Sequence, residues 1–337
     1  MGPLVVILQE QGDSSSYDMM IKQEAEFWAA RADNRLREGF SPDLSKPFKA
    51  DTVEAIWDDS RLNFMIRGKY INKILDHCSK MPHIECLELC CGTGMLSLGA
   101  SRRGAKVTGI DVSKRVIEVA DKYARELGVP LERLEYKVCD LNRATLPESR
   151  YDVVFAWDGL HHIADVDHIV GEVKRSLKDG GVFVVHDHAR HDSRLEGVIR
   201  LGIAAALYLL IPIKSCLRAR LKDIVRSSAR LKDVYKDSRP EESDSPDYSR
   251  QGLHSPFEDV SGEEIVRSIE ASFTILESER YLSLPVSLYA RIGRDPVDRE
   301  WAVGLVLAVD RLLSRLHILH PEYFFVAAEK RFVSSDS

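Results

Sequence analysis

The stretch ECLELCCGTGMLSLGA, residues 85–100, sets two adjacent cysteines against two closely spaced glycines. Three chemistries compete for such a stretch: a metal site, a redox site, or a backbone cradle for a ligand. Ahead of the glycines, IECLELC reads as a buried strand; after them, Met95, Leu96 and Leu98 carry a helical pattern that Gly104 can close. A strand that turns through Gly92 and Gly94 into a helix brings backbone amides to the carboxyl edge of a sheet, where open α/β folds bind ligands. The cysteines carry less. Cys78, Cys86, Cys90, Cys91, Cys139 and Cys216 form no CxxC and no His/Cys pair at zinc spacing, so free buried thiols and no metal are expected.

Working outward, KVTGI reads as a second strand ending at Asp111. Ser113 can N-cap a following helix that places Val116, Val119, Ala120, Tyr123 and Leu127 on one face and closes at Gly128 and Pro130. LEYKVCD is a third strand ending at Asp140, and YDVVFAW a fourth ending near Asp158. Residues 165–178 repeat Ile169, Val170, Val173 and Leu177 as a helix that stops at Gly180 and Gly181, before a fifth strand, VFVVHD. FTILESERYLSL and EYFFVAAEK supply two more. The expected fold is α/β: a seven-stranded, mostly parallel, doubly wound sheet with a helical N-terminal cap and helical insertions. The expected division is a cap over 1–75, a cofactor-binding core over 76–189, a helical insertion over 190–260, and completion of the sheet over 261–337 with a second insertion at 286–320.

Composition narrows the function. At 337 residues with 44% hydrophobic and 30% charged side chains, the chain is long enough for a large core and is not a disordered type. A net charge of -6 argues against a nucleic-acid partner, which would call for a basic footprint. MGPLVVILQEQGDSSS has no basic region before its apolar run and no small-residue cleavage pattern, so a cytoplasmic location is expected.

The glycine loop lacks the third glycine of G-x-G-x-x-G, which disfavours a dinucleotide cofactor. Instead ELCCGTG, with Glu88 ahead of Gly92, resembles the first motif of class I S-adenosylmethionine-dependent methyltransferases, of the type 11 or type 12-like small-molecule group. GIDVS at Asp111, VCDL at Asp140, YDVVFAWDGLHHIAD and LKDGGVFVVHD follow in the family's order over residues 84–188. The resemblance implies S-adenosylmethionine as cofactor. Gly92 and Gly94 would form its loop, Asp111 would take the ribose hydroxyls and Val112 would pack on adenine. Asp140 and the Leu141 amide would meet the adenine edge. Glu88 would face the methionine amine or brace the turn, and Trp157 would line the site. Tyr17, Phe27 and Trp28 would close the far side from the cap.

Methyl transfer from a sulfonium needs alignment first and a base only if the nucleophile carries a proton. The strand ends offer Asp158, His161 and His162, then His186, Asp187 and His188; His162 and His188 are the candidate bases, although the HH pair serves equally for packing the loop. A His/Asp/His metal site at 186–188 is disfavoured because successive strand residues face opposite ways. The apolar run Leu201–Ile213 is too short for a bilayer, which takes about 20 residues. Basic residues follow it: Lys214, Arg218, Arg220, Lys222, Arg226, Arg230, Lys232 and Lys236, against Asp223 and Asp233. A lid helix, a peripheral membrane contact through 201–236 and a dimer contact all fit. Ser261 and Glu264 form a capping box, and His254 lies just before it.

The expected activity is methylation of a small or amphipathic, even lipid-like, metabolite at oxygen, nitrogen or carbon. The loop after strand four lacks the N/D-P-P-Y pattern of enzymes that methylate planar amide-like nitrogens. An NAD(P)-dependent oxidoreductase and a non-catalytic S-adenosylmethionine-binding protein are the alternatives.

Overall fold

The structure is a computed structural model that describes residues 14–37, 41–44, 64–81, 83–130, 132–189, 194–210, 255–257, 260–285, 288–289 and 299–331. Helix α1 is Ser14–Arg37, and a π-helical turn, Phe64–Gly68, leads into α2, Lys69–His77. The alternating core follows: β1 Glu85–Leu89, α3 Met95–Arg102, β2 Lys106–Asp111, α4 Lys114–Glu126, β3 Leu134–Val138, β4 Tyr151–Trp157, a 3-10 turn Leu160–His162, α5 Val166–Ser176 and β5 Leu177–His188. Beyond it lie α6 Arg194–Leu210, α7 Gly262–Ser272, β6 Thr274–Tyr281, α8 Arg299–Arg315 and β7 Tyr323–Glu329.

The strands form one seven-stranded sheet in the order β3-β2-β1-β4-β5-β7-β6. β7 runs antiparallel to both neighbours, and the other pairs are parallel. In β4, Val154 and Ala156 join a cluster with α5 and α7, whereas Val153 and Phe155 join one with α2, α3 and α4. The central strands are thus buried on both faces, which explains their nearly continuous apolar sequences. Because β1 and β4 are neighbours and the strand order reverses between them, their carboxyl ends frame a crevice.

Four details differ from the sequence expectation. β5 starts at Leu177, ahead of Gly180 and Gly181, because the pairing with β4 begins at Tyr151–Leu177 and then slips to Val153–Val182. β3 stops at Val138, and the Cys139 amide then donates to the Asp111 carbonyl at 2.9 Å, carrying Asp140 beyond the strand. Ser113 occupies the N-cap of α4 in extended conformation, but its hydroxyl donates to the Ala25 carbonyl of α1 at 2.8 Å instead of capping. Helix α2 crosses the expected boundary at residue 75 and is built into the core through Ile71, Ile74 and Leu75.

A third apolar cluster joins α6 and α8 through Ala204, Ala302, Val303 and Val306, with Leu282, Leu284 and Tyr289. Asp310 is buried in it and accepts from the Ser283 and Leu284 amides and the Tyr289 hydroxyl. Within the run that begins at Leu201, Ile203, Leu207 and Tyr208 pack on this cluster, while Leu201 is exposed. Residues 211–254, including the basic stretch and His254, lie outside the described residues. No helix among the described residues is long and apolar enough to cross a membrane.

Candidate functional site

The turn after β1 is set by hydrogen bonds that its glycines permit. The Cys91 amide donates to the Ile110 carbonyl at 2.9 Å, tying the loop to β2, and the Gly94 amide donates to the Cys91 carbonyl at 2.9 Å. Gly94 N-caps α3 at φ 82°, a left-handed conformation that suits glycine. A Cβ there would lie 2.1 Å from the Tyr136 hydroxyl, whereas beside Gly92 it would meet nothing within 4 Å. One side of the turn is filled by protein, and the Gly92 side is open.

Glu88, buried near the end of β1, accepts the Ser97 amide at 2.8 Å and the Ser97 hydroxyl. It therefore braces the first turn of α3. Burial pushes its carboxyl up to about 8 against the opposing Ser97 bonds. Asp111 accepts the Gly92 amide at 3.0 Å on one oxygen and the Ser113 amide at 3.0 Å on the other, and burial raises it to about 6. Val112 is half-buried beside it and Leu141 is buried in the core behind Asp140. Burial raises the thiols of Cys90 and Cys91, and both donate to carbonyls, Cys90 Sγ to Gly159 at 3.4 Å and Cys91 Sγ to Gly92 at 3.6 Å.

Helix α1 lies across this edge. Its Tyr17 hydroxyl donates to Asp140 Oδ2 at 2.7 Å, while Asp140 Oδ1 accepts the Asn142 amide at 3.0 Å. Further along α1, buried Glu24 accepts Trp28 Nε1 at 2.6 Å and the Ser255 hydroxyl at 2.6 Å, and its Oε1 lies 3.3 Å from His162 Nδ1. Burial opposes its charge, but His162, Ser255 and Trp28 together hold its carboxyl below the usual range. His162 Nδ1 also lies 3.1 Å from Ser255 Oγ, and the ring meets Trp28 edge-on at 4.9 Å.

The remaining histidines separate by role. Asp187, fully buried, accepts the Gly159 and Leu160 amides and lies 2.6 Å from His161 Nδ1, so it holds the loop after β4 in place. His186, also fully buried, stacks on Trp157 at 3.9 Å and bridges Asp158 Oδ1 at 2.9 Å and the Tyr281 hydroxyl at 2.5 Å. Asp158 pairs with Arg67, whose guanidinium lies 4.7 Å from the Tyr323 ring centre. Burial opposes the Asp158 charge, yet Arg67 and His186 hold its carboxyl well below the usual range. His188 is half-buried, and burial pushes it down to about 4.

The sequence reading placed Glu88, Gly92, Gly94, Asp111, Val112, Asp140, Leu141, Trp157, His162 and His188 at the strand ends, and the structure brings them to one edge of the sheet. Phe27 is buried, Tyr17 bonds Asp140 and Trp28 touches His162. Glu24, Ser255, Arg67, Tyr281 and Tyr136 were missed. Glu24 has no motif, and only its place four residues before Trp28 on a helix hinted at a shared contact.

The residues present suit a nucleoside cofactor with a cationic amine. Open space flanks Gly92, an ionised Asp111 has about four lone-pair sites, not all spent on backbone amides, and Glu88 is a buried carboxyl with no ion-pair partner among the described residues. Residues 86–181 match the model of a methyltransferase domain. A ubiquinone biosynthesis O-methyltransferase of Rickettsia canadensis is 30% identical over 146 residues, covering 43% of this chain and 58% of the relative. The Proteus mirabilis enzyme of that name is 32% identical over 137 residues, covering 40% and 55%. The matched region spans less than two thirds of each of these relatives. Among solved structures, a geranyl diphosphate C-methyltransferase from Streptomyces coelicolor A3(2) superposes with a TM-score of 0.53 at 13% identity, over 93% of this chain and 98% of that one. With the glycine turn, the two strand-end aspartates and this sheet order around them, residues 86–181 carry a methyltransferase domain.

Proposed function

We propose that the protein transfers the methyl group of S-adenosylmethionine to a hydroxyl oxygen of a small, amphipathic, lipid-like metabolite. The observation that carries this reading is the convergence of Glu88, the Gly92–Gly94 turn, Asp111 and Asp140 on one sheet edge, with open space beside Gly92. Similarity to the two ubiquinone biosynthesis O-methyltransferases favours oxygen over nitrogen or carbon. The bound cofactor supplies an activated methyl on sulfur. Asp111 would hold the ribose hydroxyls, Asp140 and the Leu141 amide the adenine edge, Val112 an adenine face, and Glu88 the amine. Trp157, already stacked on His186, would form the wall toward the acceptor.

His162 is the base we propose. Its Nδ1 is engaged at Glu24 and Ser255, and Nε2 is buried with no hydrogen-bond partner among the described residues, in a side chain that is 6% exposed. His188 is neutral at pH 7 but holds a proton too weakly to serve as well. It would instead contact the acceptor.

S-adenosylhomocysteine should raise the melting temperature and NADH should not, and labelled S-adenosylmethionine should label an acceptor in a panel of hydroxylated metabolites. His162→Ala is expected to keep S-adenosylhomocysteine binding and lose about 10²–10⁴-fold in kcat, as removal of a general base does, with His188→Ala losing less than about tenfold. Stabilisation by NADH alone would replace the reading with an oxidoreductase. Normal turnover by both variants would leave alignment as the whole of catalysis.

A further inference from the structure

Glu24 sits on α1, outside residues 86–181 matched by the methyltransferase model. It is nonetheless a buried carboxylate held by three side chains at the acceptor end. Trp28 Nε1 donates to Oε1, the Ser255 hydroxyl donates to Oε2, and His162 Nδ1 lies within ion-pair distance of Oε1.

These contacts fix where the His162 proton resides. The Ser255 hydroxyl has one hydrogen, and the 2.6 Å contact with Glu24 uses it. Ser255 Oγ can then only accept from His162 Nδ1 at 3.1 Å, as it does from the Phe257 amide at 3.4 Å. An ionised Glu24 also only accepts. Both neighbours of Nδ1 therefore demand a hydrogen on it, which leaves the lone pair on Nε2, the atom that is buried without a hydrogen-bond partner among the described residues. The same helix closes on the site at two other points, Tyr17 on Asp140 and the Ala25 carbonyl on the Ser113 hydroxyl.

We infer that Glu24 is a positioning residue that, with Ser255, holds His162 in its Nδ1–H tautomer and so presents Nε2 as the proton acceptor, making α1 part of the catalytic apparatus. The inference rests on His162 being the base of the proposed methyl transfer. In the step, the acceptor O–H proton passes to Nε2 as an oxygen lone pair forms the O–C bond. The C–S bonding pair returns to sulfur, turning the sulfonium donor into a thioether. The positive charge left on the imidazolium faces Glu24 through Nδ1–H. A carboxylate behind a histidine base acts this way elsewhere, by fixing tautomer and orientation while staying ionised.

The test is nitrogen-15 NMR of the histidine rings in the full chain, with and without S-adenosylhomocysteine, the His162 signals being assigned by their loss in His162→Gln. Wild-type protein should show His162 protonated at Nδ1 and bare at Nε2, the reverse of the form that a free imidazole side chain prefers. Glu24→Ala should return the ring to a mixture and lower kcat by at least about tenfold with the KM for S-adenosylmethionine within about twofold. Glu24→Gln, which keeps an accepting carbonyl, should restore the tautomer and part of kcat. Should Glu24→Ala fail to fold, Ser255→Ala is expected to show the same tautomer shift in smaller measure. An Nε2–H tautomer in the wild type, or an unchanged tautomer and kcat in Glu24→Ala, overturns the inference. Wild-type protein that shows the Nδ1–H form yet neither binds S-adenosylhomocysteine nor transfers methyl overturns the methyltransferase reading instead.

Discussion

Glu88 shows how burial turns a motif residue into a reporter. Its carboxyl is raised to about 8 by burial, so the folded chain holds a proton that the unfolded chain releases near pH 4.5. Between those values the native state binds more protons than the unfolded state, and stability therefore falls as pH rises. Denaturant melts of the ligand-free protein at pH 5.5 and 8 should show this loss, and Glu88→Gln should flatten it. If the cofactor amine sits against Glu88, binding at pH 7 releases a proton, which calorimetry in buffers of different ionisation enthalpy reads directly. The residue was legible in the sequence because ELCCGTG fixes it relative to Gly92. Its bond to Ser97 was not, because Ser97 looks like any small residue in a helix.

At the scale of elements, the turn after β1 and the middle of β2 depend on one ring. Tyr136 of β3 is buried across Gly109 of β2, where an added Cβ would meet the ring at 2.7 Å, and its hydroxyl reaches the Gly94 carbonyl at 3.3 Å. Gly109 thus makes room for the ring that seats the cofactor turn. Gly109→Ala is expected to cost about 1–3 kcal/mol by overpacking, and distinctly less in a Tyr136→Leu background; a double-mutant cycle in urea reads the coupling. The strands themselves were legible from their apolar runs. Where β5 begins was not, since the Gly180–Gly181 pair that reads as a boundary is bridged by pairing from Leu177. The Ser113 hydroxyl was misassigned for a similar reason, because sequence shows the local cap and hides the competing carbonyl of Ala25.

Across the whole molecule, two clusters cover the sheet and a third gathers around α6 and α8, meeting the sheet at Tyr281 and Tyr323. Trp301, Leu312 and Leu316 of that third unit remain exposed. Hydrogen exchange should therefore divide the chain, with β4 and β5 amides opening only on global unfolding and α8 amides exchanging at lower free energy; uniform protection of both would count against separate units. Sheet order is a long-range property, and the sequence motifs stop at residue 188, before the strands that decide it. β7 follows β6 in the chain yet lies between β5 and β6. Until β7 arrives, β6 has no neighbour to pair with, and the flank of β5 from Val182 to His188 stands open. β6 and β7 pair with each other antiparallel, so the two can join the flank of β5 as one hairpin. Before that hairpin docks, the flank of β5 is an open edge on which β7 of another copy can pair, and strand exchange at high protein concentration is the expected fault of this arrangement.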